Sequence, residues 1–401
     1  MTIAETVHFG RLSLPNSAVR ARIAEALFRH AVRTLPVRVT LPGGERLGAG
    51  GPEAPVMRIV RPQAFFHRLG VDAKIGFGES YMAGDWTSSQ LADVLTPFAR
   101  RMATLIPKPL QAFRRFVDLR QPSAERNTVD GARANIHRHY DLSNDLFANF
   151  LDETMTYSAA WFAPGSTDLA EAQRRKIDGI LDYAGVREGS RVLEIGTGWG
   201  ELSIRAARRG AHITSLTIST EQKALAERRI AEAGLAHLAK VELMDYRDAT
   251  GTYDAIVSVE MIEAVGKEYW PTYFAALDRL LAPGGRVGLQ AITMPHDRLM
   301  ATSDSYTWIH KYVFPGGQLL SVPAIERHSR LRIAERRSLG LDYAHTLRQW
   351  HQRFEANWST IAAHGFDGTF KRMWEFYLGY CEAGFRSGYL DVWQFGFEKA
   401  R

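Results

Sequence analysis

The chain has 401 residues, of which 45% are hydrophobic and 23% are charged, which is an ordinary globular composition and enough chain for two domains. Its single cysteine, Cys381, excludes an intramolecular disulfide and a multi-cysteine zinc site. No apolar run approaches the roughly 18 residues of a membrane span, and the first residues lack a signal-peptide pattern, which predicts a cytoplasmic protein with peripheral membrane contact.

The first part of the chain mixes helical and strand-like patterns. A helix is predicted over residues 19–32, and alternating apolar residues predict strands near residues 37–41 and 56–60. Residues 76–86 cluster glycines with aromatic residues, which suits either a packing turn or a binding loop. These features predict a small α+β N-terminal domain over residues 1–125.

Positive charge is concentrated in this region. Residues 1–126 contain 18 Lys and Arg against 10 Asp and Glu, a net charge of +8. Basic and apolar residues alternate between residues 98 and 120, which is typical of a segment that lies at a membrane interface. An ordinary linker helix and nucleic acid binding are the alternatives. We expect binding to anionic vesicles that weakens with added salt.

The pattern changes after residue 131 to an alternation of strands and helices. Charge-rich helical stretches separate five short apolar runs, at residues 191–195, 213–216, 241–244, 255–259 and 287–292. This alternation predicts an α/β fold with a doubly wound, Rossmann-like parallel sheet over residues 126–401.

A glycine-rich loop follows the first of these strands. The strand carries Glu194 and turns through Gly196, Gly198 and Gly200 into a helix. Glycine permits a tight turn and the close approach of a ligand to the backbone. The spacing Gly-x-Gly-x-Gly differs from the dinucleotide fingerprint and, with Glu194, suits the methionine end of S-adenosylmethionine. A plain tight turn is the alternative.

Polar residues also follow the next two strands. Thr217, Ser219 and Gln222 are placed to meet a ribose, Asp245 to accept from an adenine amino group, and Tyr246 to offer a stacking face. Ligands of open α/β sheets bind at these carboxyl ends. Together with the glycine loop, the order of these features predicts a class I methyltransferase that uses S-adenosylmethionine.

Motifs that flank this core resemble the cyclopropane-fatty-acid synthase family. They lie at residues 139–147, 152–158, 262–266, 314–317, 343–350 and 377–385, and the resemblance covers about residues 60 to 400. The family includes mycolic acid cyclopropane synthases, plant cyclopropane synthases and actinobacterial enzymes that install a methylene branch at carbon 10 of oleoyl chains. The resemblance also implies that Tyr157 and Ser158 contact the cofactor.

The chemistry that this resemblance implies uses a carbon nucleophile. The double bond of an acyl chain attacks the sulfonium methyl group, and the resulting carbocation then loses a proton. Catalysis therefore needs positioning, exclusion of water and one base. Aromatic faces stabilise nearby positive charge, and the candidates, each of which also fits an ordinary core position, are Tyr157, Tyr306, Trp308, Tyr343 and Tyr377.

The resemblance implies that the base is a bound bicarbonate. The family holds it with a cysteine, a Glu-His pair, a histidine on the fifth strand and a tyrosine. This sequence retains Glu263 and Tyr377 but has Ala159, Ala264 and Gln290 at the other positions. Either bicarbonate is held by Glu263, Gln290 and Tyr377, or Glu263 acts as the base directly.

A changed base position favours one product over another. We expect a proton to be lost after a hydride shift, which leaves a methylene branch on an oleoyl chain of anionic membrane phospholipid. The cyclopropane ring is the alternative product. A methylene product would need a separate reductase to become a methyl branch. The enzyme would act at the inner face of the membrane. The sequence leaves open whether the protein forms a homo-oligomer.

Other functions fit the sequence less well. A nucleic-acid methyltransferase is disfavoured because neither an Asn/Asp-Pro-Pro-aromatic run nor a Pro-Cys nucleophile is present. A lipid-binding protein without activity and a methyltransferase of soluble metabolites are further alternatives. No metal is expected, because the histidines form no cluster at ligand spacing. These histidines include His139, His296, His310 and His345.

Overall fold

The computed structural model describes residues 12–15, 18–102, 104, 105, 122, 127, 131, 144–303 and 305–399. Most of the predicted interfacial segment and residues 139–143 of the first family motif lie outside these residues. Within the described ranges, no helix is both long and apolar enough to cross a membrane.

The helices have the following bounds: α1 Ala18–Val32, α2 Pro62–Val71, α3 Ala73–Met82, α4 Leu91–Arg100, α5 Asn144–Phe150, α6 Leu169–Tyr183, α7 Glu201–Arg208, α8 Thr220–Glu232, α9 Trp270–Leu280, α10 His296–Thr302, α11 Trp308–Tyr312, α12 Val322–His328, α13 Gly340–Ala356, α14 Trp358–Ala363 and α15 Gly368–Arg386. Short 3₁₀ turns lie at Tyr246–Asp248, Ile262–Ala264 and Lys267–Tyr269.

The strands have the following bounds: β1 Arg38–Thr40, β2 Arg46–Leu47, β3 Val56–Ile59, β4 Trp86–Thr87, β5 Arg191–Ile195, β6 His212–Thr217, β7 Ala239–Leu243, β8 Tyr253–Val259, β9 Leu281–Thr293, β10 Arg332–Ser338 and β11 Asp391–Glu398. The five strands predicted for the α/β core correspond to β5 to β9.

The chain divides into two compact units. The first consists of Met1–Gln121, Asp304–Pro315 and Trp350–Tyr389, and the second of Pro122–Ser303, Gly316–Gln349 and Leu390–Arg401. A single boundary near residue 125 therefore does not describe the division, because two later segments join the first unit. The roles given to the two predicted domains stay predictions.

The first unit contains a small sheet covered by helices. The strand order is β2-β1-β3-β4, with β1 and β3 parallel and the other pairs antiparallel. Helix α2 begins with Pro62, where a missing N–H is tolerated, and Asp72 caps α3 by accepting from the amides of Lys74 and Ile75. The observed mixture agrees with the predicted α+β unit.

The glycines of residues 76–86 serve close packing in a helix. Gly76 and Gly78 lie in α3, not in a turn or an open loop. A Cβ atom at Gly78 would lie 2.4 Å from Cδ1 of Trp308, and one at Gly76 would lie 2.1 Å from the carbonyl oxygen of Arg68. The packing interpretation is therefore the correct one, although the element is a helix.

The second unit is built on a seven-stranded sheet in the order β10-β11-β9-β8-β5-β6-β7. Strands β5 to β9 are parallel to one another, whereas β11 pairs antiparallel with both β9 and β10. The chain passes from β5 to β6 on one side and later to β8 on the other, so the order reverses at β5. Such a switch point is where open α/β sheets bind ligands.

One detail of β9 differs from the sequence prediction. The fifth strand is predicted over residues 287–292, but the observed strand begins earlier and spans Leu281–Thr293. Tyr253 pairs with Leu281 and Ala255 with Arg286, so the extra residues form an irregularity in the pairing. The strand resumes regular pairing with β8 and reaches Gln290 opposite Val259.

Apolar residues on both faces of this sheet form its core. One cluster centres on Leu193, Ile256 and Leu289, and a second on Val192, Ile213 and Val257. Successive residues of β5 thus contribute to opposite clusters, as expected for a strand that is buried on both faces. Polar side chains at the carboxyl ends of these strands interrupt the apolar pattern and form the candidate site.

Candidate active site

The glycine loop between β5 and α7 has a left-handed backbone at all three predicted positions. The φ angles are +100° at Gly196, +53° at Gly198 and +92° at Gly200. Side chains other than glycine rarely adopt these angles. A Cβ atom at Gly198 would meet no atom within 4 Å, so space is open beside the loop. The loop therefore fits a ligand that approaches its backbone closely.

Glu194 is a buried carboxyl at the base of this loop. Its side chain accepts a hydrogen bond from the Ser203 hydroxyl on α7. Burial raises the pKa of Glu194 to about 7, although bonds from Ser203 and Ser215 and the charge of Lys176 oppose the rise. The carboxyl thus anchors the first turn of α7 and can change its charge near neutral pH.

The predicted ribose contacts lie together at the end of β6. Ser219 caps α8 by accepting from the amide of Gln222 at 3.2 Å, and the Thr217 hydroxyl donates to Gln222 Oε1 at 2.9 Å. All three residues are buried. The structure brings them together, and their contact with a ribose stays a prediction.

The predicted adenine contacts follow β7. Asp245 forms a two-point ion pair with Arg247, at 2.8 Å to Nε and 2.6 Å to Nη2. Tyr246 is buried and packs edge-on against Tyr273, with ring centroids 5.4 Å apart. Both side chains thus have protein partners, and their contact with an adenine stays a prediction.

Helix α5 joins the glycine loop to the Tyr157–Ser158 pair. Phe147 packs against Trp199 of the loop at 4.9 Å and against Tyr157 at 5.1 Å between ring centroids. Trp199 Nε1 also donates to Asn144 Oδ1 at 2.8 Å. Ser158 accepts a hydrogen bond from the buried Lys176. The chain before β5 therefore lies against the predicted cofactor loop.

A second carboxyl, Glu260, directly follows β8 and has a dense set of donors. Its Oε1 accepts from the amide of Ala159 at 2.9 Å and from Gln290 Nε2 at 2.7 Å. Its Oε2 accepts from the Tyr343 hydroxyl at 2.8 Å. The φ angle of Glu260 is +49°, a strained value for a residue with a side chain. Three separate segments thus hold one carboxylate.

Glu263 lies in the turn after Glu260 and has fewer partners. Its Oε1 accepts from the amide of Ile292 at 2.5 Å. Its Oε2 is buried, and no donor among the described residues reaches it. Burial, followed by the charge of Glu260, raises the pKa of Glu263 to about 8. The two carboxyls therefore share one site, and burial raises the pKa of both.

A buried lysine and two glutamines support this acidic pair. Burial lowers the pKa of Lys176 to about 8, and the charges of Glu260, Asp152 and Glu194 oppose that shift. Gln394 on β11 donates 3.0 Å bonds to Gln290 Oε1 and to the carbonyl of Lys176. Gln290 is thereby oriented with its NH₂ group toward Glu260.

Tyr377 belongs to the first unit. It is buried in α15, where its ring packs edge-on against Trp374 at 5.1 Å and Phe314 at 5.8 Å. Trp308 is also buried in that unit and packs on Phe376 at 4.7 Å. The surroundings of both residues are aromatic, and the catalytic role of Tyr377 stays a prediction.

Sequence reasoning did not assign roles to Glu260, Lys176 and Gln394. Glu260 directly follows the apolar run of β8, so its place at a carboxyl end was a usable signal. Gln394 interrupts the apolar pattern of β11, which also marks a buried polar group. Lys176 gave no local signal, because helix α6 is rich in charged residues.

The described ranges contain no group of three or more His, Cys, Asp or Glu side chains placed to hold a metal ion. The polar groups of the site instead form hydrogen bonds with other side chains and with backbone amides, as Ser158, Gln290 and the two carboxyls do.

Comparison with known proteins assigns the chain to a family. The family model for mycolic acid cyclopropane synthetase matches residues 128–395. The chain belongs to the mycolic acid cyclopropane synthetase family. This match spans the glycine loop, the acidic pair and the supporting glutamines, so the site described above lies within the part that defines the family.

Two curated relatives extend the similarity over most of the chain. Tuberculostearic acid methyltransferase UfaA1 of Mycobacterium tuberculosis is 54% identical over 391 residues, which cover 95% of this chain and 92% of that protein. Cyclopropane-fatty-acyl-phospholipid synthase of Escherichia coli is 35% identical over 86% of this chain and 87% of its own length.

A solved structure supports the same assignment. Mycolic acid cyclopropane synthase CmaA1, in complex with SAH and CTAB, aligns with a TM-score of 0.62 and 31% identity, covering 70% of this chain and 99% of that one. The family, the class I methyltransferase fold and an enzyme that uses S-adenosylmethionine, all predicted from the sequence, are confirmed.

Proposed function

We propose that this enzyme transfers the methyl group of S-adenosylmethionine to the cis double bond of an oleoyl-type chain in membrane phospholipid and leaves a methylene branch at carbon 10. The observation that carries the proposal is the pair Glu260 and Glu263 at the end of β8. Methylation of an alkene needs no protein nucleophile but requires a group that accepts a proton from a carbocation. A partly buried carboxylate meets that requirement.

The degree of similarity favours a branched product. The 54% identical relative is named for tuberculostearic acid, a stearic acid with a methyl branch, whereas the 35% identical relative is named for a cyclopropane. A methylene branch becomes a methyl branch when it is reduced. We therefore infer that a separate reductase acts after this enzyme.

The loop beside β5 supports the placement of the methyl donor. S-adenosylmethionine is consumed as a substrate, and its methionine end would meet Gly196, Gly198 and Gly200, beside which space is open at Gly198. Thr217, Asp245 and their neighbours would bind the nucleoside. Tyr157 and Ser158, which α5 and Lys176 hold against the loop, would border the transferred methyl group.

Formation of a cyclopropane ring is the second candidate. The family and the Escherichia coli relative favour it, because both are named for that reaction. A bicarbonate bound by Glu263, Gln290 and Tyr377 would then be the base. The two products have the same mass, so the experiment must locate the new carbon and identify its bonds.

The positive charge of the N-terminal region supports a place at the membrane. A net charge of +8 in residues 1–126 attracts anionic headgroups at about 1 kcal/mol for each well-placed Lys or Arg. We propose that the enzyme is cytoplasmic and binds peripherally to the inner face of the membrane, where its phospholipid substrate lies.

The test is mass spectrometry of lipids after the purified enzyme has acted on oleoyl phosphatidylglycerol vesicles with S-adenosylmethionine. We expect a gain of one CH₂ at the former double bond, and ozonolysis should convert it to a ketone at carbon 10. A product that resists ozonolysis would be the cyclopropane. A protein that binds S-adenosylmethionine without modifying lipid would point to another methyl acceptor.

A further inference from the structure

We propose that the carboxylate of Glu260 is the base that removes the proton in this reaction. The inference rests on the proposed methylation of an alkene and names the group that completes it. It differs from the expectation that Glu263 or a bound bicarbonate accepts the proton.

The hydrogen bonds of Glu260 define both its orientation and its free acceptor position. Each carboxylate oxygen can accept about two hydrogen bonds. Oε1 accepts from Ala159 and Gln290, and Oε2 accepts from Tyr343 alone among the described residues. The remaining acceptor position is therefore on Oε2, beside the Tyr343 hydroxyl. A proton would be received there.

The backbone of Glu260 indicates that this orientation is imposed. A backbone φ of +49° at a residue other than glycine costs about 1–3 kcal/mol of conformational strain. Such strain persists where the surroundings fix the conformation. The fixing bonds come from the segment before α6, from β9 and from α13. Strained residues of this kind concentrate at active sites. The position follows β8, at the edge of the sheet where ligands bind.

Electrostatics separate the roles of the two carboxyls. Two neighbouring carboxylates do not both ionise readily, so one of them holds the proton. Burial raises the pKa of Glu260, but its three donors and the nearby charge of Lys176 oppose that rise. Glu263 has one amide donor and an oxygen without a described donor, which favours its neutral form. Glu260 is therefore the carboxylate that is available as a base.

The positions that correspond to bicarbonate anchors in the family are used differently here. Ala159 and Gln290 both donate to Glu260 Oε1. Their donors are thereby directed to a carboxylate that is part of the chain. The expected consequence is an activity that does not depend on added bicarbonate.

The reaction step balances with Glu260 as the only protein reactant. The π electrons of the alkene form a bond to the methyl carbon, and the carbon–sulfur pair stays on sulfur, which leaves S-adenosylhomocysteine and a carbocation. A hydride shifts from the methylated carbon to the neighbouring cationic carbon. A C–H bond of the new methyl group then breaks, and its electrons form the double bond of the methylene branch. The proton moves to Glu260 Oε2.

The test combines Glu260→Gln with Glu260→Gly, using Glu263→Gly as the matched control. Glycine suits the positive φ at position 260, so the Gly variant relieves strain while it removes the base. We expect both Glu260 variants to bind S-adenosylmethionine within about threefold of the wild type. We expect methylene formation to fall at least about 100-fold, in line with the loss of a general base.

Rescue by a small anion separates a base from a structural group. Formate or bicarbonate at tens of millimolar should raise the rate of Glu260→Gly at least about tenfold. The same anions should not raise the rate of Glu260→Gln, whose side chain still fills the site. The same anions should not change the wild type or rescue Glu263→Gly.

Three results would overturn the proposal. One is a Glu260→Gln variant with activity within a few-fold of the wild type, and another is a Glu260→Gly variant that no anion rescues. The third is a wild type that depends on bicarbonate. If the wild type modifies no lipid at all, the proposed function fails as well, so the two failures can be told apart.

Discussion

The two halves of the candidate site in the second unit are built in different ways. The half around β5, β6 and β7 takes its side chains from loops that directly follow consecutive parallel strands, as Gly196, Thr217 and Asp245 do. The half around β8 and β9 is assembled from segments far apart in sequence, since Ala159, Gln290 and Tyr343 all donate to Glu260. The first half is a local motif, whereas the second depends on tertiary packing.

The largest effect is expected from breaking the local half at Gly198. Gly198→Val places a branched side chain at φ +53° and fills the open space beside the loop. We expect the affinity for S-adenosylmethionine to fall between about 10-fold and 100-fold, or about 1.4–3 kcal/mol. Isothermal titration calorimetry measures it.

A glycine elsewhere in the same unit provides the control. Gly165 has φ +78°, is exposed and likewise has no atom within 4 Å of a Cβ position. Gly165→Val should therefore lose a similar amount of stability through backbone strain and bind the cofactor normally. Equal affinity in the two variants would contradict a role of the Gly198 loop in cofactor binding.

The contrast between the halves also explains what the sequence could predict. The strands β5 to β9, the glycine loop and the polar residues after β6 and β7 follow from local patterns, because strand, turn and helix are contiguous. The sequence did not predict that Ala159 would donate to Glu260, because a contact across 101 residues leaves no local trace. The same holds for Gln394, whose contact with Gln290 depends on the register of β11 against β9.

A smaller effect should sharpen the contrast within the acidic pair. The folded pKa of Glu263 is about 8, above its unfolded value of 4.5. The folded state therefore binds more protons between these values, and wild-type stability falls as pH rises through that window. The side chain in Glu263→Gln cannot ionise. The free energy of unfolding of this variant, relative to that of the wild type, should therefore rise by on the order of 2 kcal/mol between pH 5 and pH 8.

Urea unfolding at pH 5 and pH 8 measures this difference. The exposed Glu232 provides the control, since Glu232→Gln should follow the wild type at both pH values. Activity near pH 7 should fall less than about tenfold in Glu263→Gln, because glutamine resembles the protonated carboxyl in shape. A loss of more than about 100-fold would instead make Glu263 the base.

The smallest effect concerns the lysine that lies beneath both halves. Lys176 is fully buried, donates to Ser158 and carries a charge that favours the ionised forms of Glu194 and Glu260. In Lys176→Met that charge is absent, so the pKa of Glu260 should rise further. Because a protonated carboxyl cannot accept a proton, the acid limb of the pH–rate profile should move upward by about one pH unit, and activity should recover at higher pH.

Lys240→Met, on the exposed face of β7, should leave the profile unchanged. A uniform loss of activity at every pH would mean that Lys176 only supports the packing of α6, whereas a shifted midpoint with an unchanged plateau would show that its charge sets the ionisation of the base.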